Sequence, residues 1–300
     1  MNIHAQGASA LPFFLKTPRG ARFCLYHQPN PDLAPRGTIL YVHPFAEELN
    51  KSRRMAAVQS RAFALAGFGV LQIDLYGCGD SSGDFANARW DLWLGDLQVA
   101  WDWLRRRCPG DFYVWGLRLG GLLALDFSRR HDVAGLILWQ MTISGRAHLG
   151  QFKRVHSAAR MFDAPAEGLA DGAHASGASL AGGPDGAAPP AQLEIAGYTL
   201  APELSSAIEG VDAGRLTPRC PVRWLELAAP PRPAGEQASP PALQAASALL
   251  VQRWRDAGVR VQTFAVEGTP FWNSAEITES PALLEATVAA TLALACAERP

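Results

Sequence analysis

The sequence predicts an α/β fold: a mostly parallel central sheet with helices on both faces and an insert before the late strands. Three observations carry this. Short apolar runs of strand length, such as Val70 to Leu75 and Val133 to Met141, are separated by longer segments of helical period. The segment 90 to 108 repeats Trp90, Trp93, Leu94, Leu97, Trp101, Leu104 and Cys108 at three- and four-residue spacing, the mark of an amphipathic helix. Strands alternating with helices in this way predict parallel pairing with both sheet faces covered.

In chain order, Phe13 to Leu15 and Arg22 to His27 flank Pro18-Arg19-Gly20 and predict a β-hairpin. A strand is expected over Gly37 to His43, a helix over 53 to 66 closed by Gly67 and Gly69, and a strand over Val70 to Leu75. Helix 90 to 108, strand 112 to 115, helix 119 to 131 and strand 133 to 141 follow. Residues 164 to 192 are mostly Ala, Gly, Pro, Ser and Asp. So little apolar surface cannot offset ordering entropy, and a flexible segment is expected there. Its flanks, 145 to 163 and 193 to 215, are expected to form a lid, with a short strand at 197 to 200 and a short helix at 201 to 211. The sheet pattern returns at Val222 to Leu227, followed by helix 242 to 257, strand 259 to 266 and helix 281 to 297. The division expected is a first core part over 1–144, an insert over 145–215 and a second core part over 216–300.

Composition narrows the function. The formal net charge of −1 over 300 residues argues against nucleic acid and against an electrostatic membrane tether. Residues 1 to 10 lack the charged start and apolar core of a signal peptide, and no apolar stretch reaches the ~20 residues of a membrane span. The five cysteines are scattered and unpaired by motif, which predicts a reducing, cytoplasmic setting and neither a metal site nor a cofactor.

The most informative segment is Trp115-Gly116-Leu117-Arg118-Leu119-Gly120-Gly121, between an apolar strand and a helix. That is the setting of the Gly-x-Ser-x-Gly nucleophile elbow of α/β-hydrolases. Arg118 stands at the nucleophile position, and a guanidinium cannot attack an acyl carbon. It is either a relic of a lost serine or an anion ligand at a helix N-terminus, where free N–H groups and the dipole already favour negative charge. After the strand at 37 to 43 comes His43-Pro44-Phe45-Ala46-Glu47-Glu48. In this fold such a loop donates one oxyanion N–H. Pro44 has none, so Phe45 or Ala46 would donate, with Leu119 as the second donor. His43 reads as structural more readily than as a base.

The other triad positions are unfilled. The segment Ala228-Ala229-Pro230-Pro231-Arg232 after Val222 to Leu227 holds no carboxylate, and no histidine occurs after His174. Trp272 falls where the catalytic histidine would sit and is expected to close the pocket. His148 and His156 read as exposed polar positions on a lid helix, and Trp139, Trp224 and Trp254 as core. The loop Asp74 to Gly83 reads as structural, and no base is evident for Cys78 or Ser82.

Residues 40–54 (Leu-Tyr-Val-His-Pro-Phe-Ala-Glu-Glu-Leu-Asn-Lys-Ser-Arg-Arg), 74–83 and 115–120 resemble the exosortase A system-associated hydrolase 2 proteins of the α/β-hydrolase fold. Ile195 to Tyr198 and Trp272 to Ile277 are similar too. The resemblance implies a Gram-negative bacterium, a locus for exopolysaccharide synthesis and the sorting of proteins with a C-terminal Pro-Glu-Pro signal (PEP-CTERM). Fold does not establish activity.

Three functions stay open. One is a pseudoenzyme that binds an anionic acyl or sugar-phosphate ligand through Arg118, Leu119, Phe45, Ala46 and Trp272. A second is a hydrolase or acyltransferase acting on an exopolysaccharide intermediate with substitute groups among His43, Glu47, Glu48, Asp80 and Ser82, all expected in loops. The third is a scaffold whose lid docks a protein of the exopolysaccharide machinery.

Overall fold

The computed structural model describes residues 10–108, 110–163, 193–195, 197–228 and 242–297, with side chains of 155–163 and 193–195 excepted. The expectation of flexibility over 164–192 therefore lies outside the described residues, as does the side chain of His156.

Strands β1 (Ala10–Thr17) and β2 (Gly20–His27) form the expected hairpin, with Gly20 at φ 97° in its turn. Then come β3 (Thr38–Val42), α1 (Glu47–Leu65), β4 (Gly69–Ile73), α2 (Trp90–Arg107), β5 (Phe112–Leu117), α3 (Leu119–Ser128) and β6 (Gly135–Trp139). The insert contributes α4 (Gly145–Asp163), a hairpin of β7 (Leu193–Ile195) and β8 (Tyr198–Leu200), and α5 (Pro202–Gly210). The chain closes with β9 (Val222–Ala228), α6 (Ala245–Asp256), β10 (Val261–Glu267) and α7 (Pro281–Ala297).

Eight strands form one sheet in the order β1-β2-β4-β3-β5-β6-β9-β10. Pairing is antiparallel at β1–β2 and β2–β4 and parallel from β4 to β10. The period of two sorts side chains to opposite faces. In β5, Phe112 and Val114 join the core under α2, α3 and α6, while Tyr113, Trp115 and Leu117 join the core under α1 and α7. Trp139, Trp224 and Trp254 are fully buried, as the sequence suggests. Among the described residues, no helix is long and apolar enough to cross a membrane.

The clearest difference from the sequence reading is α1. It begins at Glu47, six residues before the expected start, so Glu47 and Glu48 occupy its first turn rather than a loop. Two acids there are favoured by the positive end of the helix dipole. The parallel strands all point their carboxyl ends at the loops 43–46, 74–84, 118 and 140–144, where a ligand meets such a sheet.

Candidate functional site

The turn from β5 into α3 has the tight geometry of an elbow. Arg118 adopts φ 54°, ψ −123°, a conformation a side-chain-bearing residue rarely holds. Three contacts dictate it. The Arg118 N–H donates to the Trp139 carbonyl at 3.0 Å, and the Arg118 carbonyl accepts the N–H groups of Gly121 and Thr142. A Cβ on Gly120 would lie 2.3 Å from the His43 carbonyl oxygen, and one on Gly116 would lie 2.5 Å from Gly121 Cα. Only glycine lets α3 start so close to β3 and β5.

The Arg118 side chain folds back into the protein. Its Nε donates to Glu48 Oε1 at 3.3 Å, and its Cζ lies 5.3 Å from the ring centroid of Trp272. Arg118 is 18% exposed and Glu48 6%. Burial pushes the Glu48 carboxyl up to about 7, and the neighbouring Arg118 charge only partly offsets this. Glu48 Oε2 is buried without a hydrogen-bond partner. Trp272 follows the last strand, buried and packed on Phe271.

Phe45, Ala46, Leu119 and Gly120 line one small cavity together with Trp90, Trp93 and Leu123. Its free space is about 10 Å³, room for one water-sized sphere. Leu119 is the first residue of α3, so its N–H has no acceptor within the helix. Ala46 precedes α1 at φ 50°. Phe45, Ala46 and Leu119 thus come together around one small, mainly apolar cavity.

The remaining candidates are spread apart. His43 is buried; its Nδ1 lies 2.7 Å from the Pro44 carbonyl oxygen and its Nε2 accepts the Leu75 N–H at 3.3 Å. That fixes a neutral ring, and burial lowers its pKa further. Ser82 is exposed, with Oγ accepting the Ala21 N–H at the β1–β2 hairpin. Asp80 lines an open cleft. Glu47 lies 3.9 Å from Lys51 on the surface of α1. Among the described residues, no hydrogen bond or ion pair joins His43, Asp80 and Ser82. Cys78 is buried, and burial raises its thiol pKa, which opposes nucleophilic use.

His148 corrects the sequence reading. It is 4% exposed, not a polar surface position. Its ring packs near Phe45 and Phe152, Nδ1 lies 3.4 Å from Thr142 Oγ1, and Nε2 is buried without a partner. Burial and the Arg118 charge lower its pKa to about 3. The spacing of His148, Leu149 and Phe152 marks one apolar face of α4 and is the signal that could have shown this.

Comparison with known proteins bears on the fold. The serine aminopeptidase S33 family matches residues 34–170. A thermostable monoacylglycerol lipase from Bacillus sp. (strain H-257) is 30% identical over 100 residues, which is 33% of this chain and 38% of the lipase. The chain thus matches about two fifths of that relative's length. Among solved structures, a highly thermostable carboxyl esterase from Bacillus coagulans, in complex with glycerol, superposes at TM-score 0.60 with 14% identity, over 97% of this chain and 100% of the esterase. Est1E from Butyrivibrio proteoclasticus with bound ferulic acid gives TM-score 0.59 and 15% identity, over 95% and 99%. The chain has the α/β-hydrolase fold.

Proposed function

We propose that this chain binds an anionic acyl or sugar-phosphate ligand at the elbow without serine hydrolysis, in an exosortase A and exopolysaccharide setting. The observation that carries the reading is a permanent cation, Arg118, at the strained apex where the fold presents its nucleophile. Strain of this kind costs on the order of 1–3 kcal/mol and clusters at functional sites. A guanidinium there cannot be acylated, but it can hold a carboxylate or phosphate. The N–H of Leu119, the first residue of α3, has no acceptor within the helix and is a further donor next to Arg118 in the chain, and Trp272 backs the cation with its ring face.

Glu48 is the internal competitor. It occupies Arg118 through one oxygen, and burial brings its titration to about 7. A protonated Glu48 releases the guanidinium, so anion binding near neutral pH takes up a proton. The lipase and esterase names of the relatives support an acyl-bearing ligand. They also favour a second reading, acyl transfer or ester cleavage on an exopolysaccharide intermediate. The neutral, backbone-tied ring of His43 and the distant placement of Ser82 weigh against it.

The test is a thermal-shift screen with acyl-CoAs, nucleotide sugars, undecaprenyl-phosphate analogues and uronates, on wild type and Arg118→Ala. A ligand that binds only the native state raises its stability. The expected result is a shift that disappears in the variant, together with no labelling by a fluorophosphonate. Equal shifts in both proteins would overturn the reading, as would fluorophosphonate labelling of the wild type.

A further inference from the structure

A second cleft opens at the carboxyl end of the sheet. It is lined by Asn50 and Arg53 of α1, Gly77 to Asp80 of the loop after β4, and Tyr198 of the insert. Its space is about 560 Å³, within the range of small-molecule sites. Ala46 and Cys78 form its floor and also line the small apolar cavity beneath the elbow loop.

The walls are built by a specific clamp. Asp74, buried at the end of β4, accepts the Asp80 N–H at 3.0 Å and Arg53 Nη2 at 3.1 Å through the same oxygen. Arg53 Nε reaches Asn50 Oδ1 at 3.5 Å. Gly79 holds φ 53° directly under this clamp, and a Cβ there would lie 2.0 Å from Asp74 Oδ2 and 2.4 Å from Arg53 Nη2. The loop therefore needs glycine to let Arg53 lie down on Asp74. The Arg53 side chain stays 41% exposed, anchored at one edge with the rest of its fork facing the cleft. Tyr198 is fixed from behind by Phe85, its ring centroid 5.0 Å away in edge-on contact.

The charge balance selects the occupant. Asp74 and Asp80 outnumber Arg53, so an anion gains nothing here. Among the described residues, no group of three or more His, Cys, Asp or Glu is placed to hold a metal ion. What remains is a set of alternating donors and acceptors, namely the Arg53 fork, the Asn50 amide and the Asp80 carboxylate, beside an aromatic ring. Adjacent hydroxyl groups, which both donate and accept, match such a set. We propose that this cleft binds a neutral, polyhydroxylated ligand, a sugar ring, with Arg53, Asn50 and Asp80 reading its hydroxyls and Tyr198 against its face. The cleft adjoins the elbow cavity through Ala46 and Cys78 but does not include Arg118, and the proposal does not rest on anion binding by Arg118.

The experiment is saturation-transfer NMR and calorimetric titration of the full chain. The probes are cellobiose, maltose, lactose and methyl α-mannoside, with glucuronate as the charged counterpart. At least one neutral sugar is expected to bind. Its affinity should fall about tenfold or more in Arg53→Ala and in Asp80→Ala, the loss of a charge-assisted hydrogen bond. It should be unchanged in Arg118→Ala, which separates this site from the elbow. Asp80→Asn keeps the shape if Arg53→Ala fails to fold, and should weaken binding in the same direction. The proposal is overturned if no neutral sugar binds, if glucuronate binds more tightly than its neutral counterparts, or if Arg118→Ala abolishes binding while the cleft variants leave it intact.

Discussion

Two residues at the carboxyl end of the sheet hold nearly the same positive-φ backbone and share little else. Ala46 (φ 50°, ψ −126°) leads β3 into α1, and Arg118 (φ 54°, ψ −123°) leads β5 into α3. Neither caps its helix with a side chain. The methyl of Ala46 does no more than line two cavities, whereas Arg118 reaches Glu48 and Trp272. The comparison separates two causes. The turns come from strand-to-helix transitions packed against each other through Gly120, while the chemistry at each apex comes from the side chain it carries.

The harshest test of that separation is Gly120→Ala. The added Cβ would meet the carbonyl oxygens of Val42 and His43, both rigid backbone, so both turns must shift. The expected loss exceeds about 4 kcal/mol by chemical denaturation. Wild-type stability in this variant would show that the two turns are not coupled through the helix start.

Next is Glu48→Ala, which strips Arg118 of its partner. Removing one side of a buried pair costs roughly 3–5 kcal/mol, and the 18% exposure of Arg118 puts the expected loss at the low end or slightly below. Ala46 has no such dependence, so the same substitution should leave its own turn intact, readable by amide exchange at Leu49.

A smaller effect appears in pH dependence. The Glu48 carboxyl rises from its ordinary 4.5 to about 7 in the folded state. The native state then holds a proton that the unfolded chain has released, so stability falls as pH rises through 7. Between pH 6.5 and 8 the expected drop is about 1 kcal/mol. His27 and His148, depressed to about 4 and about 3, and His43 and His131, lowered as well, act in the opposite sense, and because the unfolded imidazoles titrate around 6.5 their contribution overlaps the lower part of this range. The stability of wild type minus that of Glu48→Gln, measured by denaturation across this range, should fall by that amount, because the histidine contributions are common to both. A difference that stays constant from pH 6.5 to 8 would assign the effect elsewhere.

The smallest expected effect distinguishes the two apexes directly. Ala46→Gly relieves strain without losing a contact of consequence and should be neutral or stabilising by up to about 1 kcal/mol. Arg118→Gly relieves the same strain but leaves Glu48 unpaired and should destabilise. Matching signs would erase the distinction between them.

What could be read from the chain follows the range of the forces involved. Helix α2 is legible because its apolar stripe is written in adjacent turns, and β5 because its run lies between clear breaks. The elbow is legible because its glycines are local. Glu48 as the partner of Arg118 is not, since the pair spans 70 positions and only the juxtaposition of β3 and β5 creates it. His148 fails for the same reason: what buries it includes Phe45, a hundred residues earlier. The early start of α1 is missed because charged residues after a strand resemble a loop until the helix dipole that favours them is known. The cleft around Arg53 lay in view as two separate motifs, residues 40–54 and 74–83, without a sign that Gly79 and Asp74 would join them.

The Arg118–Glu48 pair has a consequence for how this sequence can change over generations. Any single substitution that removes the arginine leaves a buried carboxyl without its ion-pair partner, with one oxygen already unpartnered. Any single substitution that removes the glutamate strands a cation in the same place. Both one-step routes pass through a less stable protein, so the two positions are expected to drift only together. The elbow is held in its present form by a barrier in mutational space.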